Sequence, residues 1–270
     1  MEHPDVSTVC SDGRTGGRVG ADNPLNVKSI HKAFLVLEAF RGGDRHLSLG
    51  ELAAATGLDK SAVQRFTHTL RAMGYLEQDP ATRRYALGRR VLDLAYGYLR
   101  NHPLVERAAP ILADLRRTTR ERVDLSLLDG TDALYVFRMQ SKRETFAAAL
   151  IGRRVPLFCS AGGRAMLACM TDEEARGLVE RSERPAFTAD TRTDPVRIMA
   201  EVRRARRQGY GFQVGEWRPA ELVVAAAIVD RGGAPVGAVH IAASVGEWKP
   251  EEFERRMAPL VKGAAQSISE

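Results

Sequence analysis

The sequence predicts an α+β protein with an N-terminal helical domain closed by a hairpin, a connecting helix, and a larger C-terminal domain of strands and helices. Three observations lead there. Apolar residues recur at helical spacing as far as residue 120, and at a spacing of two beyond it. Capping residues and glycines cut the first hundred residues into short helices. In the second half, strands come in clusters separated by helices, which indicates α+β and antiparallel pairing. A length of 270 residues accommodates two domains.

Residues 1–23 are Gly-rich and polar and hold too few large apolar side chains to offset ordering entropy, so they are expected to be a disordered tail. Ile30, Ala33, Phe34, Leu37 and Phe40 then follow helical spacing, predicting a helix over 27–40 that ends at Gly42-Gly43. Ser48 with Glu51 three residues on forms a capping box for a short helix ended by Gly57. Asp59 caps the next helix, which reaches Met73 and stops at Gly74. "YLEQDPATRRYAL" reads as a hairpin with an arginine-rich tip. A helix over 88–100 breaks at Asn101-His102-Pro103, and another over 104–120 carries Leu104, Ala108, Ile111, Leu112 and Leu115 on one face.

"RVDLSLLDGTDALYVFRM" predicts two strands around an Asp-Gly turn, and "TFAAALIGRRVPLF" continues the sheet. Helices are expected over 162–181 and 193–208. Strands follow at about 210–217, 222–230 and 235–245, and a helix over 250–268 closes the chain.

The chain carries 40 Lys and Arg against 34 Asp and Glu. Between Pro24 and Arg90 the counts are 11 and 6, so the positive field concentrates near the N-terminus, as a polyanion-binding region requires. The three cysteines make no CxxC pair and no disulfide framework, which points to a reducing compartment. No apolar run reaches membrane-spanning length and no signal peptide opens the chain, so a cytoplasmic protein without membrane association is expected.

On the helix after Asp59, Ala62, Val63, Phe66, Leu70 and Met73 share one arc. Lys60, Ser61, Gln64, Arg65, His68 and Arg71 share the other. Arg and Lys donate to guanine O6 and N7, Gln pairs with adenine N6 and N7, and Ser reaches phosphate or base. A polar face alone signifies only a solvated surface. Here it follows a short capped helix and a tight turn, and precedes a hairpin tipped by Arg83 and Arg84. That order is a winged helix-turn-helix, whose wing lays cations on phosphate. Lys28 and Ser48 complete the candidate DNA-facing set.

"NVKSIHKAFLVLEAF", "LSLGELAAATGLDKSAVQRFTHTLRAMGYLEQDPATRRYALGRRVLDLA", "GRRVPLFCSAGGRAMLA", "RTDP", "RRQGYGF" and "VVAAAIVDRGGAPVGAVHIAAS" together resemble the IclR-type bacterial transcriptional regulators. The resemblance runs from residue 24 onward. It implies a winged helix-turn-helix DNA-binding domain over 24–87, a linker helix over 88–102 and a GAF-like α+β effector-binding domain over 103–270. It further implies a homodimer or dimer of dimers on a palindromic double-stranded operator, regulated by a small-molecule effector.

By matched position, the effector loop is Cys159, Ser160, Ala161 and Gly162. A small-residue loop entering a helix can hold a carboxylate on free N–H groups, and equally reads as a tight glycine turn. Other pocket positions depart from the family pattern. Gln213 replaces an acid, Val223 replaces a cysteine beside Glu221, and His240 and Ala242 replace two serines. A larger, partly aromatic or apolar carboxylate is therefore expected rather than a small keto acid. The alanines flanking His240 leave room beside it for a ligand, although a core histidine fits the same pattern. Arg138 and Arg164 are possible anion partners, with surface ion pairing as the alternative.

The six histidines lack metal-ligand spacing and no cofactor loop is recognisable, so no metal, cofactor or catalytic residue is expected. Two alternatives remain: an enzyme pairing Cys159 or Ser160 with His240, or a regulator sensing redox through Cys159.

Overall fold

The computed structural model describes residues 25–42, 46–141 and 151–269. The chain forms two compact units, one ending at Arg100 and the other beginning at Asn101. The tail expected over 1–23 and the strand residues 145–150 lie outside the described residues.

In the first unit, α1 spans Lys28–Glu38 and runs into a 3-10 turn over Ala39–Gly42; α2 spans Leu49–Thr56 and α3 Lys60–Ala72. The caps read from the sequence are present. Ser48 accepts from the Glu51 N–H while Glu51 accepts from the Ser48 N–H, and Asp59 accepts from the Ala62 N–H. Gly57 and Gly74 adopt φ of 69° and 80°, the left-handed values that end a helix without a Cβ penalty. Antiparallel β1 (Leu76–Gln78) and β2 (Tyr85–Leu87) form the wing, and Leu47 adds a bridge to Tyr85. Val36, Leu52, Val63, Leu70, Leu76 and Tyr85 build the core. The α3 arc differs from the wheel at two positions. Thr67 is buried, its hydroxyl satisfied by the Gln64 carbonyl, and Met73 is exposed at the helix end. α4, Val91–Arg100, buries none of its residues.

The second unit is a six-stranded antiparallel sheet between two helical layers. Its elements are α5 (Pro103–Thr119), β3 (Arg122–Asp129), β4 (Asp132–Met139), β5 (Arg154–Pro156), α6 (Ala161–Leu167), α7 (Asp172–Arg181), α8 (Pro195–Gln208), β6 (Gly211–Val214), β7 (Glu221–Val229), β8 (Pro235–Ser244) and α9 (Pro250–Ile268). Strand order is β5-β4-β3-β8-β7-β6. The two strand clusters of the sequence are therefore one sheet, joined by β3 and β8 with Asp124 opposite His240 and Arg122 opposite Ala242. The single helix expected over 162–181 is two. A capping box at Thr171 and Glu174 starts α7 afresh after α6 has ended at Leu167. β6 stops at Val214, short of the expected 217, because Gly215 turns the chain at φ 68°.

Alternation sorts the sheet residues. Val123, Leu125, Val239, Ile241, Leu222 and Val224 lie on the face towards α5 and α9, and a Cβ on Gly237 would meet Leu104 of α5. Arg122, Asp124, Ser126, Ala238, His240, Ala242, Val223 and Ala225 lie on the other face, beneath α6. α6 comes unusually close. A Cβ on Gly162 would lie 2.2 Å from His240 Cε1, one on Gly163 2.3 Å from the Leu157 carbonyl, and one on Gly211 2.1 Å from the Ala161 carbonyl. Gly211→Ala should therefore push α6 off the sheet and destabilise the second unit by about 1–3 kcal/mol, the usual cost of overpacking, as read by urea unfolding.

Candidate nucleic-acid interface and ligand pocket

Burying Val63, Thr67 and Leu70 leaves the opposite side of α3 in solvent. Lys60, Gln64, Arg65 and His68 are exposed there, and their side chains make no hydrogen bond or ion pair with the described chain. Four long polar groups on one helix are thus available to a partner. Ser61 is exposed too, but its hydroxyl donates to Asp59 Oδ1 at 2.6 Å, which lowers the pKa of that cap. Asp59 thereby holds the leading hydroxyl of the helix in place. Lys28 is exposed at the start of α1, and Ser48 is half-buried at the start of α2.

The wing is fastened to the helices by arginines. Arg71 donates to Gln78 Oε1 at 2.7 Å, and Gln78 donates to the Arg83 carbonyl at 2.9 Å. Arg83 projects from the tip with a left-handed backbone, φ 60°, and is exposed. Arg84 behaves differently. It turns back to the His46 carbonyl at 3.0 Å and to both oxygens of Glu51 at 2.7 and 2.8 Å. The pair of tip arginines expected from the sequence is therefore one outward cation and one tie between the wing and α2.

The polar stripe under α6 is a chain of charges. Arg138 lies across Asp124 at 2.6 and 3.1 Å, Arg122 Nε reaches Asp124 at 3.1 Å, and the far end of Arg122 reaches Glu221 at 2.5 Å. Asp124 is only 1% exposed, so its two arginines supply the stabilisation that burial removes. Beside it His240 is fully buried, with Nε2 2.8 Å from Ser126 Oγ and Nδ1 3.4 Å from the Tyr135 hydroxyl. Burial holds its pKa down at about 4, so the imidazole is neutral near pH 7. The room expected beside His240 is filled by Gly162, whose close approach leaves no space for a ligand there.

Ser160 caps α6 through the Gly163 N–H, and Ala161 packs with Val223, Ala225 and Ala242. Gln213 is buried and accepts from the Glu216 N–H. Arg164 is likewise internal: its guanidinium forks onto Glu216 at 2.6 and 2.7 Å. Cys159 is buried, and its thiol pKa is pushed up by desolvation. A cleft of about 250 Å3 opens where β3 begins and β8 ends, walled in part by Arg122, Arg218, Glu221 and Ala242. Of the expected ligand residues, Ala242 alone lines it.

Two family profiles match this chain: the IclR helix-turn-helix domain over residues 29–80 and the bacterial transcriptional regulator IclR C-terminal domain over 96–270. The chain belongs to the IclR family of bacterial transcriptional regulators. The Pca regulon regulatory protein of Pseudomonas putida is 30% identical over 91% of this chain and 84% of its own. The glycerol operon regulatory protein of Streptomyces coelicolor is 33% identical over 90% of this chain and 96% of its own. Among solved structures, an IclR family transcriptional regulator from Brucella abortus superposes with a TM-score of 0.76 at 27% identity, covering 93% of this chain and 94% of that one. An IclR homologue from Microbacterium hydrocarbonoxydans complexed with 4-hydroxybenzoate shares the fold, with a TM-score of 0.72 at 21% identity over 89% of this chain and 97% of that one.

IclR-family proteins are DNA-binding regulators and not enzymes, and the geometry agrees. The partners of His240 are Ser126 and Tyr135, so neither Cys159 nor Ser160 has it as a base. A thiol with a raised pKa is also a poor redox sensor. The residues missed in the sequence were Asp124, Arg122 and Ser126, which alternation placed on one face but which needed β8 opposite them to acquire meaning.

Glu51 joins α2 to the wing, and its bonds to the Ser48 amide and hydroxyl, then to Arg84, hold its pKa at about 2 against an ordinary 4.5. A depressed carboxylate contributes stability that is full above pH 4.5 and is lost as pH falls through 2. In a carboxyl-carbon NMR titration, Glu51 should show a midpoint near 2 that rises in Arg84→Ala, since the guanidinium is one of its causes. An unchanged midpoint would detach the wing from this cap.

Proposed function

We propose that this chain is a ligand-responsive repressor or activator that reads its operator with the leading end of α3. The observation that carries this reading is the unpartnered row Lys60, Gln64, Arg65 and His68 on a helix whose other side is core. Lys60, Ser61, Gln64 and Arg65 face base edges, while His68 lies further along, towards the backbone. Lys28, Ser48 and Arg83 contact phosphate, and Arg84 acts indirectly by holding the wing. Gln64→Ala and Arg65→Ala should each weaken operator binding by about 1–3 kcal/mol while leaving binding to random DNA nearly unchanged. Gel-shift titrations at fixed salt decide this; equal losses on both DNAs would remove the base-reading role.

The operator is a palindrome bound by a homodimer or dimer of dimers. Support comes from apolar side chains that the single chain leaves in solvent: Phe34 on α1 is 55% exposed and Leu94 on α4 60%, with Ile30, Leu92 and Tyr96 similar. A second copy covering these faces would bury them isologously and place two recognition helices on two half-sites. Leu94→Glu should shift the sedimentation profile towards monomer and weaken operator binding; an unchanged profile would place the interface elsewhere.

The second unit binds an organic acid on the α6-facing side of the sheet, where that face opens into the cleft. Of the residues expected there, Ala242 borders the open cleft, while Arg138, Cys159, Ser160, Ala161, Gly162, Gln213, Val223 and His240 are packed or bonded within the fold. The cleft of about 250 Å3 that opens at the end of this charged stripe supports a binding role. The same fold accommodates 4-hydroxybenzoate in the Microbacterium protein. An acid that binds two arrangements of this unit unequally would shift their balance, and α4, as the linker, would pass that shift to the spacing of the α3 helices.

A further inference from the structure

We propose that the effector carries a cationic nitrogen as well as a carboxylate, and that it binds in the cleft between Glu121 and Arg218. This rests on the reading that the second unit binds the effector, and it narrows the ligand class.

The cleft of about 250 Å3 is walled by both signs of charge: Glu121, Glu221 and Glu247 against Arg122 and Arg218. These charges are not equivalent. Arg122 is already committed to Asp124 and Glu221, and Glu221 to Arg122. Glu121 is 3% exposed, yet its side chain receives a single hydrogen bond, from Trp248 Nε1 to Oε1 at 2.9 Å. No donor in the described chain reaches Oε2, and no Lys, Arg or His pairs with this carboxylate. Glu121 lines the cleft, so its unbonded oxygen meets the cleft interior, and a carboxylate set in a mostly buried wall without a counter-ion calls for a cation. Arg218 is half-buried in the turn before β7, and its guanidinium makes no hydrogen bond or ion pair in the described chain. It is an uncommitted cation in the cleft wall, and a planar fork of that kind suits a carboxylate.

A simple monoanion would satisfy Arg218 but add a fourth negative group to Glu121, Glu221 and Glu247. A zwitterion satisfies both uncommitted groups and leaves the Arg122–Glu221 pair intact. The volume lies below the ~300–1,000 Å3 of sites for drug-sized ligands, which sets the size at that of a small metabolite. Trp248 is itself held by Arg256, 4.9 Å from its ring centroid, so Glu121 is aimed from a fixed platform.

The test is calorimetric titration of the full chain with L-amino acids of uncharged side chain. Each is matched with the amine that lacks its carboxylate and the acid that lacks its amine. At least one amino acid should bind ten-fold or more tightly than both of its matched partners. Glu121→Gln keeps a carbonyl oxygen for Trp248 and should weaken that amino acid at least ten-fold while sparing the matched acid. Arg218→Ala, at a half-buried turn, should weaken amino acid and acid together, and serves if Glu121→Gln does not fold. Acids binding as tightly as their amino acids, or an amino acid indifferent to Glu121→Gln, would overturn the proposal. If acids shift operator affinity while no amino acid binds, only the ligand class fails. If none of the three sets binds, the effector reading fails with it.

Discussion

The second unit is organised by one close approach, that of α6 to the sheet. Backbone and imidazole meet there with no room for a methyl group at Gly162, and Gly163 and Gly211 are equally tight against carbonyls. Because α6 lies so near, the sheet face beneath it must present small side chains, and Val223, Ala225 and Ala242 do so, packed against Ala161 of α6. The same closeness seals His240 from water, which keeps it neutral and fixes its hydrogen bonds on Ser126 and Tyr135. The polar groups of this face are therefore committed before any ligand arrives.

Those commitments divide the charged residues into two kinds. Arg164 with Glu216, and Arg138 with Asp124, are buried pairs in which loss of the carboxylate would leave a buried guanidinium without its counter-ion. They position loops and strands. Glu121 and Arg218 border open space and have no ionic partner in the described chain, so their charges remain available. The contrast separates charge that holds the fold from charge that can recognise something else.

The first unit follows a similar division. Asp59, Ser48, Glu51, Arg71 and Arg84 spend their polar groups on caps and on fastening the wing, while Lys60, Gln64, Arg65 and His68 spend none. A recognition surface needs rigid support and free donors together, and adjacent residues of the same chemical type serve opposite ends. Arg83 and Arg84 are neighbours in sequence, yet one points outward and the other closes a contact 33 residues away.

Local physics determined most of the elements from the sequence alone. Capping boxes, glycines with positive φ and hydrophobic period are short-range properties, and they located the helix-turn-helix, the wing and nearly every strand of the second unit. The Thr171 capping box is present in the sequence as well, but the apolar run ending at Met170 and the apolar residues after Glu174 read as one helix, which conceals the break between α6 and α7. Tertiary structure decided what depends on residues far apart in the chain. The pairing of β3 with β8 turned two strand clusters into one sheet, and set Asp124 opposite His240 over a separation of 116 residues. That pairing, with α6 pressed on it, made His240 a core residue and left Glu121 without a counter-ion. Neither outcome is visible in a sequence pattern, because burial and counter-ions are supplied by neighbours that only the folded chain brings together.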